Sequence, residues 1–461
     1  MPALVCGGPS RARILRGPNI DRRREILNTS AMDATHSYYA ATAHAAPVRR
    51  ALDGAVDCDV CVVGGGIAGC STALHLAEGG YRVVLLEAHR VGWGASGRSG
   101  AQALFGVAAG HTKLAQLVGE SDARRVWDIT VEGLALMREL IAKHRIDCDW
   151  VDGHMQVAMK ARHDAEIREE IELLHSKLDY PSARYMPRDE VRSIIPSTQY
   201  VSALYDPNCG HLHPLNYTLG LADAAERLGA RIFEQSRAVS WTGADTNSTS
   251  RDHVAIRTAN GEVRAKYAVF CGNVYLGPLA PQLFSKVMAV STYIVATEPL
   301  GQPRAADLIR NNAGVVDSNW VVDYFRRSAD HRLLFGGRVN YSGLSSFEAP
   351  AATRLRMLKV FPQLADVKIQ FAWGGDVDIT LNRAPDFGRL APNVYFLQGF
   401  SGHGISLTGI AGKLVAEAIS GTAERFDVFA RIPHRGFPGG MALRRPALVL
   451  AMLYYRLRDM L

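Results

Sequence analysis

The stretch that most constrains the fold is 58–100, CDVCVVGGGIAGCSTALHLAEGGYRVVLLEAHRVGWGASGRSG. Residues 59–63 read as a buried strand, ended by glycines that supply G-x-G-x-x-G at 64–69. A helix follows, with Cys70, Ala73, Leu74 and Ala77 on its apolar face. Gly79 and Gly80 end it, and 81–86 is a second strand closed by Glu87. Each part of this βαβ unit has a physical task. Gly64 allows the tight turn, Gly66 lets the backbone approach a pyrophosphate, and Gly69 lets helix and strand pack closely. Ile67 and Ala68 open the helix, whose unpaired N–H groups and positive dipole end face the phosphates. Glu87, 18 residues after Gly69, is placed to accept hydrogen bonds from a ribose. The arrangement predicts a bound ADP-containing dinucleotide.

A second small-residue loop, 92–100, follows the ribose acid directly. Such a loop carries backbone past a flat, bulky ring system without side-chain clashes. Arg98 is placed to neutralise phosphate or reach the ring. The run LLEAHRVGWGASGRSG resembles the approach to the FAD site in the D-amino-acid oxidase superfamily of amine and amino-acid oxidases. The resemblance implies an α/β (α+β) chain: an FAD-binding two-dinucleotide-fold domain with an antiparallel-sheet substrate domain. It places Ala88, Gly94, Ala95, Ser96, Arg98 and Ser99 along the cofactor and Gln102 near the isoalloxazine. It also implies that the strand 267–271 returns to the first sheet, with Gly272 close to FAD, and that Val239 lies near the adenine. The glycine-rich turn at 399–406 then puts Gly402, His403, Gly404 and Ile405 at the pyrimidine side of the flavin. There a helix N-terminus favours the negative charge that develops on reduction. Two departures stand beside the flavin: Ser99-Gly100-Ala101-Gln102 replaces the relatives' Asn-Gly-Gly-Gln, and the segment Phe105–His111 is unlike theirs.

A chain of 461 residues is too long for one ordinary domain. We expect FAD-binding segments at 37–150, 206–284 and 378–430, and substrate-domain segments at 151–205 and 285–377. Longer alternating strands, with a helix at 351–361, make 287–377 an antiparallel sheet over the flavin. Helical spacing predicts two helices in 112–146, and an irregular arm leads from 36 to the first strand. The ends are basic. Residues 1–31 carry six Arg against two acids, and 431–461 carry six Arg against Asp459. The net charge of +7 therefore leaves about −2 for 32–430, which argues against nucleic-acid binding. We expect 1–36 to be a poorly ordered extension with Met32 as the working start; a transit peptide is the alternative. The apolar run 446–455 is too short to span a membrane and reads as a docked helix in the 431–461 tail.

Seven Cys in mostly apolar patterns suit reduced thiols in a cytosolic protein. Cys58 and Cys61 differ by an odd step along a strand, so they should face opposite ways and serve structure rather than redox chemistry. His211 and His213 at i, i+2 have no further cluster to complete a metal site, and none is expected.

The segments GHLHPLN, NRAP, RLAP, GFSGHG and PHRGFPGG are similar to superfamily members that oxidise gamma-glutamylated amines. That implies oxidation of an amine C–N bond, giving an aldehyde, ammonia and hydrogen peroxide, with O2 or another acceptor taking the electrons. Sarcosine-like N-methyl amino acids or free amino acids are the alternative substrates. Gln102, His403 and Trp373 are the expected catalytic residues. Tyr324, Arg326, Arg338 and Trp373 are the expected substrate contacts, supplying cations for a carboxylate and aromatics for a tetramethylene chain. Some relatives hold flavin covalently through a cysteine near the C-terminal flavin loop. No Cys follows Cys271, so the FAD should be noncovalent.

Overall fold

The computed structural model describes residues 37–243, 253–339 and 349–438, with positions 446, 450, 454 and 459 beyond them. The expected 1–36 extension lies outside the described residues, as does most of the expected tail helix.

Two sheets carry the chain. The first runs in the order Asp386–Ala391, Val394–Gln398, Gly261–Phe270, Gly54–Val63, Val83–Leu86, Arg231–Phe233. From Val394–Gln398 onward its neighbours are parallel, and Asp386–Ala391 is an antiparallel edge. Parallel strands are stable only with both faces covered, and the burial shows how. Val60, Val62, Val83 and Leu85 pack into one cluster with residues of the helices Ile67–Glu78, Pro214–Arg227 and Gly404–Ile419. Cys61, Val63, Val84 and Leu86 pack into another beneath the Ser240–Thr242 and Val254–Arg257 strands and the 276–283 turns. Two of the helices meet with almost nothing between them. A Cβ on Gly412 would stand 2.6 Å from the Thr72 backbone nitrogen, and the Ser71 hydroxyl donates to the Gly409 carbonyl at 2.7 Å.

The second sheet has the order Ile369–Thr380, Val287–Thr297, Leu333–Val339, Tyr324–Arg327, Gly314–Asp317, Val151–Ala158, Ser202–His211, Gln102–Ala103. It is antiparallel except where Gly314–Asp317 lies parallel to Val151–Ala158. Phe325, Phe335, Phe361 and Met357 form its core against the Ala349–Val360 helix. The mixed α/β class with an antiparallel second sheet is as expected from sequence. The long helical region also splits as its pattern implied, into His111–Val118 and Glu120–His144, at Gly119 with φ +84°.

Two local readings are corrected. The arm after residue 36 is not irregular throughout: Ser37 Oγ accepts from the Ala40 amide at 3.1 Å and caps a short helix, Tyr38–Thr42. Cys58 and Cys61 pack in the same cluster, not on opposite faces. The Asp59 and Val60 amides both donate to the Arg82 carbonyl, at 2.8 and 3.2 Å, so a bulge breaks the alternation between the two cysteines. All six described cysteines are free and buried.

Candidate active site

A cavity of about 1370 Å³ runs between the two sheets. Single-ligand sites usually hold about 300–1,000 Å³, so this one has room for more than one small molecule. At its first-sheet end Val63 gives way to Gly64, whose φ is +112° and whose hypothetical Cβ would lie 2.9 Å from the Cys271 carbonyl carbon. A Cβ on Gly66 would meet Ser96 Oγ at 2.8 Å, and one on Gly69 would fall on the Gly64 carbonyl oxygen. The turn is thus held at Gly64 and Gly69 by backbone contacts that only glycine permits, and at Gly66 by the Ser96 hydroxyl. Ser96 Oγ also accepts from the Ile67 amide at 3.0 Å, so a side chain from the next loop caps this helix. The Glu87 carboxylate accepts from the Gly65 amide at 2.6 Å and the His89 amide at 2.8 Å, while burial raises its pKa.

Gly64, Gly66, Ile67, Ala68, Glu87, Ala88, Gly94, Ala95, Ser96, Ser99, Val239 and Gly272 all line the cavity. So do Gln102, Gly402, His403, Gly404, Ile405 and Tyr324. Gly69 stands behind the turn. Arg98, expected along the cofactor, is not among the lining residues: its guanidinium lies 4.4 Å from the Trp93 ring centre and its Nε donates to the Trp93 carbonyl at 2.8 Å.

Two expected substrate contacts lie elsewhere. Trp373 is buried with Tyr39, Ile294 and Leu334, and its Nε1 donates to the Arg98 carbonyl at 3.0 Å. It fills the core beneath the Tyr38–Thr42 helix. Arg326 is buried as well and donates to Tyr39 Oη at 3.1 Å and the Arg327 carbonyl at 3.0 Å, away from the cavity. The Arg338 backbone pairs with Tyr293, and its side chain is outside the described residues. Tyr324 does reach the cavity. Gly100 and Gly336 clear its ring, since a Cβ at either would approach within 2.6 and 2.5 Å of it.

The second helix N-terminus is that of Gly404–Ile419, with His403 as its cap residue. Asp378 shapes the turn before it: its carboxylate accepts from the Phe400 amide at 2.7 Å, and burial pushes its pKa up to about 6. Burial, aided by Arg383, holds the His403 imidazole down to about 4, and its Nδ1 is enclosed without a hydrogen bond.

Sequence reasoning missed His154, Gln156, Glu170 and Arg383, all cavity-lining. His154 and Gln156 sit at i, i+2 on the Val151–Ala158 strand, and that polar spacing in an apolar strand was the available signal. His154 Nε2 stands 3.0 Å from Gln102 Oε1, and Gln102 Nε2 donates to the Val315 and Phe325 carbonyls at 3.0 and 3.3 Å. Burial, then the neighbouring His403, holds His154 down to about 3. Glu170, hydrogen-bonded to Gln156, is raised by burial, and no described Lys, Arg or His pairs with it. The His211 and His213 rings are occupied by the Asn312 carbonyl, Thr42 Oγ1 and the Asn216 amide.

A glycine cradle under one helix N-terminus, an acid beside it and a second helix N-terminus across one cavity fit a dinucleotide whose pyrophosphate and ring system need separate partial positive charges. The chain belongs to the FAD dependent oxidoreductase family, whose model matches residues 59–418. Its relatives narrow this. The chain is 41% identical over 428 residues to gamma-glutamylputrescine oxidoreductase of Escherichia coli (strain K12), covering 93% of this chain and 99% of that protein. It is 40% identical to the probable oxidoreductase OrdL of Haemophilus influenzae, over 87% of this chain and 92% of that one. The resemblance read from the sequence is thereby borne out. Glycine oxidase from Bacillus cereus shares the fold at TM-score 0.66 and 22% identity, over 82% of this chain and 99% of that chain.

Proposed function

We propose that this FAD-dependent oxidoreductase oxidises the terminal amine C–N bond of a gamma-glutamylated diamine, gamma-glutamylputrescine first. The products are the gamma-glutamylaminoaldehyde, ammonia and, with O2 as acceptor, hydrogen peroxide. The observation that carries this is the 41% identity over nearly the full length of the Escherichia coli enzyme. The cavity supports it by exceeding what one cofactor-sized ligand fills.

FAD supplies the two-electron chemistry when bound; the protein binds, aligns and excludes water. The 64–69 turn and the Ile67–Glu78 helix would hold the pyrophosphate, Glu87 the ribose, and the 402–405 amides the ring's pyrimidine edge. Cys271 lines the cavity, but burial pushes its thiol up to about 12, so it offers no thiolate for covalent attachment. This supports noncovalent FAD. His154 and His403 are neutral at working pH, so neither repels an incoming ammonium group. Glu170, a half-buried carboxylate without a described cation partner, favours a substrate that brings a second positive charge, as the glutamyl α-amino group does. Arg383 and Lys113 line the cavity and Arg326 does not, which supports the first two as the cations for the carboxylate.

Anaerobic mixing of the holoprotein with gamma-glutamylputrescine, followed at the flavin band, tests the reading. Rapid bleaching reversed by air with peroxide release supports it; bleaching without fast reoxidation keeps the substrate and makes the enzyme a dehydrogenase. Bleaching only by sarcosine or a free amino acid overturns the substrate assignment. Flavin that stays with acid-precipitated protein overturns noncovalent binding.

A further inference from the structure

The tautomer of His154 is dictated by its neighbours. Gln102 Nε2 faces two backbone carbonyls, Val315 at 3.0 Å and Phe325 at 3.3 Å. Carbonyls only accept, so the amide nitrogen must stand there and Gln102 Oε1 must face His154. An amide oxygen also only accepts, so the proton of the neutral imidazole is on Nε2. The other nitrogen, Nδ1, is then a bare acceptor. Among the described residues it makes no hydrogen bond, and it is not one of the enclosed polar atoms that lack a partner, so it opens on the cavity that His154 lines. His403 faces the same cavity close enough to act on His154 electrostatically. The strand that carries His154 lies between Gly314–Asp317 and Ser202–His211, hydrogen-bonded on both edges, so the ring has a rigid base.

We infer that His154 Nδ1 accepts a hydrogen bond from the N–H of the amine being oxidised, and that Gln102 is the positioning residue that keeps this nitrogen unprotonated. The chemical class is an amine with at least one N–H, held between the 151–158 strand and the His403 turn. Gln102 therefore has no amide N–H left for the flavin, since both are taken by backbone carbonyls. Buried hydrogen-bonded groups that select a donor discriminate strongly against ligands lacking it, so tertiary amines are excluded by the unfilled acceptor.

The inference rests on the amine reading above, and its test separates the two. The tautomer is read first, on ¹⁵N-histidine-labelled holoenzyme without substrate, by two-bond proton–nitrogen correlation. A proton on Nε2 of His154 is expected, and a proton on Nδ1 overturns the proposal whatever the substrate proves to be. Binding is then measured with whichever amine bleaches the wild-type flavin, using a non-oxidised analogue and the shift of the oxidised flavin spectrum. His154→Gln places an amide near the Nε2 position and removes the Nδ1 acceptor; His154→Asn keeps an acceptor near Nδ1 and gives up the contact to Gln102. The expected result is a loss of analogue affinity of about 10- to 100-fold in H154Q and a smaller loss in H154N, with FAD affinity unchanged in both. Equal affinity in H154Q and wild type, or a greater loss in H154N than in H154Q, overturns the proposal.

Discussion

Replacing Gly412 by alanine should force apart the two helices whose N-termini open on the cavity. The added Cβ would stand 2.6 Å from the Thr72 backbone nitrogen and 2.8 Å from both Ser71 Cβ and Oγ. Ordinary carbon contacts are about 3.5–4.0 Å, so the helices must separate by about 1 Å. A backbone nitrogen inside a helix cannot swing aside as a long side chain can. Overpacking of this kind costs about 1–3 kcal/mol. Stretching the buried hydrogen bond from Ser71 to the Gly409 carbonyl adds about 1 kcal/mol. Alanine's better helix propensity returns about 1 kcal/mol, leaving a net destabilisation of about 1–3 kcal/mol. Urea unfolding of the holoprotein, with FAD in fixed excess, reads this directly. The FAD dissociation constant should rise in the same variant, because displacement of either helix moves an N-terminus away from the cavity. Ser71→Ala, which removes only the hydrogen bond, should cost about 1 kcal/mol and serves as the control. A Gly412→Ala protein as stable as wild type, or more stable by the propensity gain, would refute the close crossing.

Ser96→Ala removes the hydroxyl that accepts from the Ile67 amide at 3.0 Å; a cap of this kind is worth about 0.5–2 kcal/mol, so thermal unfolding of the apoprotein should shift downward by that amount. Glu78 is held down to about 2 by His75 first and then Lys143, whose ammonium lies 2.7 Å from it. A carboxylate depressed in the fold stabilises it above its unfolded value of 4.5, and that contribution is lost as the pH falls through about 2. Lys143→Ala should move the Glu78 titration toward 4.5, followed by carboxyl NMR, and should narrow the acid side of the stability profile.

The βαβ unit was legible because glycine leaves a mark that other residues do not. At 64, 66 and 69 the spacing itself states where backbone must approach backbone, and the structure puts atoms where each missing Cβ would be. The turn at His403 was readable for the same reason. The substrate side was not, and the failure is one of position along the strands. Trp373, Arg326 and Tyr324 all sit on strands of the second sheet, and Tyr324 and Arg326, two residues apart, share a face; alternation says which residues share a face but not how far along it the cavity reaches. Trp373 turned out to fill the core under the Tyr38–Thr42 helix, and Arg326 was drawn to Tyr39. His154 carried the opposite difficulty. A single histidine in an apolar strand has no local partner, and its significance depends on Gln102, a residue 52 positions away, and on two carbonyls from other strands. The bulge at Asp59 shows the same limit, since strand alternation holds only while the hydrogen-bond register does.

The buried cysteines give the protein a built-in gauge of its own opening. Burial pushes the thiols of Cys58, Cys148 and Cys271 up to about 12, and raises those of Cys61, Cys70 and Cys209 as well. Alkylating reagents attack the thiolate, so the sulfurs enclosed in the core stay silent until their surroundings part, while Cys209 and Cys271 line the cavity. Cys58 and Cys61 lie in the central strand of the first sheet, Cys70 in the helix after the dinucleotide turn, and Cys209 in a strand of the second sheet. In a Cys6→Ser background, the rate at which each sulfur takes up label would time the opening of the region around it. Saturating FAD should slow the clock at Cys70 and Cys271 more than at Cys209.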